Sequence, residues 1–135
     1  MNLLELTIIN SVRTNNFKDK AIMQKIDDMW KDAGSALKNH KEVTYGLYYD
    51  YESDYKGDYT LSVAIESNNN ASTIKIPSIN KYEIFEVDTS DNFGIFNTWK
   101  EIWEREEKRD LARAYTFDFE KYYPNGQMEI HIAVK

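Results

Sequence analysis

The fold is decided by residues 43–66, VTYGLYYDYESDYKGDYTLSVAIE. Two tyrosine-rich segments in this stretch, 43–51 and 58–66, alternate between apolar and polar side chains. The polar segment 52–57 lies between them. Two alternating segments that are joined by a short polar turn predict an antiparallel β-hairpin. The rest of the chain can be interpreted outward from this hairpin.

A second hairpin is predicted near the end of the sequence. The segment 114–123, AYTFDFEKYY, alternates in the same way, Pro124-Asn125-Gly126 is a turn signal, and 128–134, MEIHIAV, is a further strand. Apolar side chains recur every three or four residues in two other segments, which predicts amphipathic helices. Each hairpin thus follows a strand and a helix: strand 3–12 and helix 19–37, then strand 82–87 and helix 95–107.

The order strand, helix, hairpin therefore occurs twice. This repetition predicts an α+β fold with an antiparallel sheet, two main helices and duplicated βαββ modules, at about 1–70 and 78–135. A length of 135 residues suits a single domain, 1–135. Between the modules, Asn68-Asn69-Asn70 is predicted to be a surface loop. Pro77 disfavours a central strand, so we expect an irregular link there.

Composition excludes several classes of function. The chain has 17 basic and 23 acidic residues, a net charge of −6, so nucleic-acid binding is not expected. It has no cysteine and only two histidines, which argues against disulfides, thiolate nucleophiles and common zinc sites. No apolar run reaches the length of a membrane span, and the first ten residues do not resemble a signal peptide. We therefore expect a cytoplasmic protein without a cofactor or metal.

Aromatic residues are unusually frequent. They make up 14% of the chain, with ten tyrosines, six phenylalanines and three tryptophans. Tyrosine and tryptophan are amphipathic and are favoured at binding surfaces. This excess is the first indication of a ligand-binding role.

Glu120 is the first candidate functional residue. Alternation along 114–123 places Glu120 on one face with Asp118 and Tyr122. A carboxylate that is buried among rings loses its hydration, and an incoming cation would compensate for that loss. The alternative is that this face is solvated and Glu120 is a surface acid. Asp118 is more simply explained as a structural or solvent-facing acid.

Aromatic candidates come from the second helix and the first hairpin. Trp99 and Trp103 are four residues apart on one helix face, so each could line a pocket or belong to the core. In the hairpin, alternation groups Tyr45, Tyr49 and Tyr51 on one side and Tyr48 with Asp50 on the other. Cross-strand packing would also explain these tyrosines. The aromatic residues that we select are Trp99, Trp103, Phe96, Tyr45, Tyr49, Tyr59 and Tyr122, with Trp30 assigned to the core.

The sequence resembles the GyrI-like superfamily, the effector-binding domains of bacterial multidrug-responsive transcription activators. It is most similar to stand-alone, integron-associated effector-binding proteins. The resemblance covers essentially the whole chain. It depends on YGLYYDYESDYKGDYT (45–60), on DFEKY (118–122) and on Trp99 with Trp103.

The resemblance implies two modules that are related by a pseudo-twofold axis and enclose a central groove. Flat, hydrophobic and often cationic molecules bind in the groove of that family. Its key acid matches Glu120, and the tyrosine of its E-x-Y motif matches Tyr122. No helix-turn-helix pattern accompanies the domain, so a stand-alone sensor or effector-binding domain is implied.

Two other classes of function stay open. Some GyrI-like proteins are hydrolases of reactive toxins, although this sequence carries no nucleophile elbow, HExxH motif or phosphate loop. An enzymatic role is therefore left open and is not favoured. A protein-interaction role would involve a topoisomerase or a separately encoded regulator. The natural ligand is not identified by the sequence.

Overall fold

The computed structural model describes residues 3–66, 73–77 and 81–135, which form the following elements in chain order. They are β1 (Leu3–Thr14), α1 (Ile22–Leu37), β2 (Thr44–Tyr49), β3 (Tyr59–Glu66), β4 (Thr73–Pro77), β5 (Lys81–Glu86), α2 (Gly94–Glu107), β6 (Asp118–Tyr122) and β7 (Met128–Val134). The predicted surface loop 68–70 lies outside the described residues.

The seven strands form one antiparallel sheet in the order β4-β1-β3-β2-β6-β7-β5. The orders β1-β3-β2 and β5-β7-β6 are equivalent, and β2 pairs with β6 at the centre of the sheet. In this central pair Gly46 lies opposite Glu120. The predicted α+β class, the antiparallel sheet and the repeated βαββ order are confirmed.

One predicted link is a strand. Residues 73–77 form β4, although Pro77 was expected to keep this segment irregular. Because β4 is at the edge of the sheet, one side of its backbone needs no hydrogen-bonded neighbour. A proline is compatible with such an edge position and not with a central one.

Several boundaries also differ from the sequence prediction. The strand that was expected from residue 114 begins only at Asp118, because Tyr115 adopts a left-handed backbone with φ 56°. The first helix begins at Ile22 and not at residue 19. There the Asp19 carboxylate accepts hydrogen bonds from the backbone N–H of Ala21 and from the Thr14 hydroxyl, which holds the preceding turn outside the helix.

The helices cover one face of the sheet. In the first half Met29 and Ala33 of α1 pack on Leu61 and Val63 of β3. In the second half Trp99 and Ile102 of α2 pack on strands β5 and β7. The two helices thus cover the two ends of the sheet, and the central strands β2 and β6 lie between them.

Apolar side chains also cover the opposite face of the sheet. A second cluster on that face contains Leu6, Tyr45, Leu47, Ala64, Ile76 and Phe119. A β-bulge between Ile8 and Asn10 lets β1 contribute to both faces, with Leu6 on this one and Val12 beneath α1. The face of the central strands away from the helices is therefore apolar.

Candidate ligand-binding site

A cavity of about 540 Å³ opens between the two helices above the central strands. Its floor comes from β2, β3 and β6, and its walls come from α1, α2 and the turn of the first hairpin. The lining side chains are Asn16, Ile22, Met23, Ile26, Trp30, Tyr48, Tyr51, Tyr55, Tyr59, Leu61, Asn92, Phe93, Ile95, Phe96, Trp99, Trp103, Arg113, Glu120 and Tyr122. Eight of these residues are tyrosine or tryptophan, so the interior is mostly aromatic.

Glu120 lies at the floor of this cavity and is only 5% exposed. Its Oε2 accepts hydrogen bonds from the Tyr48 hydroxyl and from Trp99 Nε1, both at 2.8 Å. Its Oε1 accepts a hydrogen bond of 2.6 Å from the Tyr122 hydroxyl. The carboxylate is thus held in one orientation by three neutral donors.

Burial raises the pKa of Glu120, although the hydrogen bonds from Tyr122, Trp99 and Tyr48 act in the opposite direction. Burial also raises the pKa of Tyr48 and of Tyr122 well above the ordinary value, and the neighbouring Glu120 charge adds to this effect. The two hydroxyls therefore keep their protons and remain hydrogen-bond donors.

Glu120 has no positively charged partner in the part of the chain that the structure describes. Among the ion pairs within residues 3–66, 73–77 and 81–135, none involves this carboxylate. Its buried neighbour Asp118 is different, since it is paired with Arg113 Nη2 at 2.8 Å. Of the two acids that β6 directs to this face, Asp118 has an ion-pair partner and Glu120 has none among the described residues.

Aromatic rings surround the carboxylate. The Tyr48 ring centroid lies 5.0 Å from that of Trp99 and 5.4 Å from that of Tyr59. Trp30 contacts Tyr122 edge to face at 5.3 Å. Trp30, which the sequence analysis assigned to the core, therefore contributes a wall of the cavity as well.

Six of the eight residues selected from the sequence line the cavity: Glu120, Tyr122, Trp99, Trp103, Phe96 and Tyr59. Tyr45 and Tyr49 do not. Tyr45 packs in the cluster on the opposite face and donates to Glu66 at 2.9 Å, and the Tyr49 hydroxyl is hydrogen-bonded to that of Ser62 at 3.0 Å. Their placement near the groove is corrected by this geometry.

The cavity instead receives Tyr48 and Tyr51 from this part of the chain. Alternation grouped Tyr51 with Tyr45 and Tyr49, and that grouping is wrong. Asp50 has φ 56°, so regular alternation stops after Tyr49 and the Tyr51 ring joins the side of Tyr48. The sequence analysis would have identified Tyr48 if it had assigned the face of β2 that carries Tyr48, and not the face of Tyr45 and Tyr49, to the groove.

Exposed apolar side chains form the mouth of the cavity. Met23 from α1 and Phe96 from α2 are 67% and 57% exposed, and Phe93, at the start of α2, is 69% exposed. All three also line the cavity. A hydrophobic molecule would therefore meet apolar surface before it reaches Glu120.

The described part of the chain contains no cluster of His, Asp or Glu side chains that could hold a metal ion. Within the same residues, neither helix combines the length and the apolar character needed to span a membrane.

A family model and two solved structures are similar to this chain. A family model described as an integron-associated effector binding protein, Cass2, matches residues 6–134. The crystal structure of an integron cassette protein from the mobile metagenome of Vibrio cholerae is similar, with a TM-score of 0.78 and 30% identity. The match covers all of this chain and 92% of that one.

A second solved structure is a putative bacterial transcription regulation protein from Staphylococcus aureus MU50. It matches with a TM-score of 0.68 and 16% identity over all of this chain and 94% of that one, and it shows the shared fold alone. A search of the curated proteins found no match. The family model and the Vibrio structure together show that this chain belongs to the Cass2 family of integron-associated effector-binding proteins, a family that binds small-molecule effectors.

Proposed function

We propose that the protein binds flat, amphipathic aromatic cations in the cavity between its helices and acts as a sensor domain of the transcription-regulator type. The observation that carries this proposal is the buried Glu120 carboxylate, which has three neutral donors and no ion-pair partner among the described residues. The similarity of fold to a putative transcription regulator supports the sensor role.

Electrostatics favour a cation at this position. A buried carboxylate has lost most of its hydration, and the donors Tyr48, Trp99 and Tyr122 restore only part of it. A ligand cation would supply the missing counter-charge. The faces of the surrounding rings add cation–π attraction of about 0.5–2 kcal/mol.

The walls favour a flat ligand. The cavity volume of about 540 Å³ suits a molecule of a few fused rings. Rings from both helices and from the sheet offer surfaces against which such a molecule can stack.

Isothermal titration calorimetry with three compounds of similar shape tests the proposal. We choose 1-methylquinolinium as the cation, 1-methylnaphthalene as its neutral counterpart and 1-naphthoate as the anion. We expect the cation to bind more tightly than the other two. The Glu120→Gln variant should bind the cation about tenfold more weakly and the neutral compound with little change.

Glu86→Gln is the matched control, because it removes one negative charge from an exposed position on β5. It should leave cation binding within about twofold of the unchanged protein. Equal losses for the cation and the neutral compound in Glu120→Gln would mean that Glu120 only supports the fold. Absence of binding by all three compounds would reject the proposed function.

A further inference from the structure

Arg113 is a second charged residue in the wall of the cavity, and the proposed function does not use it. The residue is only 4% exposed, and a backbone bridge to Val134 fixes its position ahead of β6. The guanidinium carbon lies 5.9 Å from the ring centroids of both Trp99 and Tyr51, which are themselves cavity residues. It lies 4.3 Å from the Tyr115 ring centroid.

The guanidinium has hydrogen-bonding capacity that the described residues do not satisfy. Nη2 donates to Asp118 at 2.8 Å. Nε and Nη1 have no hydrogen-bond acceptor within the parts of the chain that the structure describes, although both atoms are buried. Buried donors of a charged group are normally paired, and a ligand acceptor that reached either atom would complete its hydrogen bonding. Glu106 Oε1, a buried acceptor near Nη1, likewise has no hydrogen-bond donor among the described residues.

The charge of Arg113, in contrast, is already compensated. Asp118 is fully buried against Nη2, and Glu106 Oε1 lies 3.5 Å from Nη1 without hydrogen-bond geometry. A carboxylate or phosphate on a ligand would be repelled by these two acids. A neutral acceptor, such as a carbonyl oxygen, would satisfy the free donors without that repulsion.

Trp99 connects this group to the proposed cation site. Its Nε1 donates to Glu120, and its ring lies beside the Arg113 guanidinium. A single ligand of two or three fused rings that packs on Trp99 can therefore approach both groups.

We infer that Arg113 is a specificity-determining residue of the cavity, which selects flat aromatic cations that also carry a neutral hydrogen-bond acceptor. This inference rests on the proposed function, since it concerns the same cavity and the same cationic ligands. It adds one requirement: the ligand has an acceptor as well as a positive charge.

Three derivatives of 1-methylquinolinium test the inference by calorimetry. They carry acetyl, isopropenyl or carboxylate at the same ring position, and positions 3, 6 and 7 are each examined. Acetyl and isopropenyl have nearly the same shape, but only acetyl offers an acceptor. At the best position we expect the acetyl compound to bind about tenfold more tightly than the isopropenyl compound and more tightly than the carboxylate.

A double variant, Arg113→Met with Asp118→Asn, removes the donors and at the same time neutralises Asp118, the fully buried partner of the guanidinium. The amide oxygen introduced at position 118 can still accept from the Ala133 N–H, as Asp118 Oδ1 does at 2.7 Å. The acetyl preference should fall to less than twofold in this variant. Arg105→Met is the matched control, since Arg105 pairs with Glu83 and Asp110 outside the cavity, and it should retain the preference.

Equal affinities for acetyl and isopropenyl at every ring position, with cation binding intact, would overturn this inference alone. Retention of the preference in a folded double variant would also overturn it. Failure of 1-methylquinolinium itself to bind would reject the proposed function and this inference with it. The 1-methylquinolinium titration therefore distinguishes failure of this inference alone from failure of the proposed function.

Discussion

At the residue scale, Glu120 links ligand binding to stability. Its three donors orient the carboxylate but cannot neutralise it, so burial still raises its pKa above the ordinary value of 4.5. The charged form of Glu120 is therefore disfavoured as long as no counter-charge lies beside it. This preference predicts two effects of pH.

The first prediction concerns stability without ligand. Because the folded-state pKa of Glu120 is raised, its contribution is fully present below about pH 4.5 and is lost as pH rises through the folded-state pKa. In the Glu120→Gln variant the side chain does not titrate, so its contribution to stability does not change with pH. Urea unfolding from pH 4.5 to 8 should show the unchanged protein losing free energy of unfolding relative to the variant. A constant difference across this range would contradict the argument.

The second prediction concerns the donors. Tyr48→Phe removes a hydrogen bond that lowers the pKa of Glu120, so cation binding should reach half of its maximum at a higher pH. Tyr49→Phe is the matched control, because the Tyr49 hydroxyl is hydrogen-bonded to Ser62 on the opposite face of the sheet. Calorimetric titration of 1-methylquinolinium at several pH values measures the shift. Equal shifts in both variants would mean that the Tyr48 hydroxyl does not control the carboxylate.

At the scale of elements, the central strand pair positions the acid. Gly46 of β2 lies opposite Glu120 of β6, and a Cβ at Gly46 would be 3.0 Å from Glu120 Oε1 and 3.7 Å from Trp30 Cζ2. The absence of a side chain at Gly46 therefore creates the space that the carboxylate occupies. Strand pairing and cavity chemistry meet at this one position.

Gly46→Ala should consequently impair binding. The added methyl group has to displace a carboxylate that is held by three hydrogen bonds, and such overpacking costs about 1–3 kcal/mol. We expect affinity for 1-methylquinolinium to fall about tenfold, as measured by calorimetry. Gly34→Ala on α1 is the control, since a Cβ there meets no atom within 4 Å. Unchanged affinity in Gly46→Ala would show that the carboxylate has room to move.

The sequence predicted every element in order except β4, and it predicted six of the residues that line the cavity, because helix periodicity and the alternation of β6 depend on local pattern. It failed for β2, where both faces are apolar. Tyr45 and Leu47 pack on one face, and Gly46 and Tyr48 lie on the other. Alternation cannot indicate which face the helices cover. The left-handed backbone at Asp50 and Tyr115 was likewise not predictable, because glycine is the usual sign of that conformation and neither residue is a glycine.

At the scale of the whole molecule, the cavity joins the two halves of the chain. Trp30, Tyr48 and Tyr59 come from the first half, and Trp99 and Glu120 come from the second. A ligand in this position contacts both halves at once. Binding should therefore stabilise the whole domain against unfolding and not one half alone.

Differential scanning calorimetry tests this prediction. At a concentration of 1-methylquinolinium about 100 times its Kd, binding adds about 2.7 kcal/mol to the free energy of unfolding. For a chain of this size, that corresponds to a rise in Tm of about 10 °C. One transition should move as a unit, and Glu120→Gln should show a smaller rise at the same concentration. Two unfolding transitions, of which only one shifts to higher temperature with ligand, would contradict the prediction.

The facing pair Gly46 and Glu120 has a consequence for how such a site can exist. If two identical subunits met along an equivalent central strand pair, every residue would be present twice, so a second acid would accompany the first one. A single chain that contains both modules is free of this constraint, because one strand can supply the acid while the other supplies the space. Internal repetition within one polypeptide thus permits a binding site with a single unpaired acid, because the two modules can differ in sequence while their central strands stay paired.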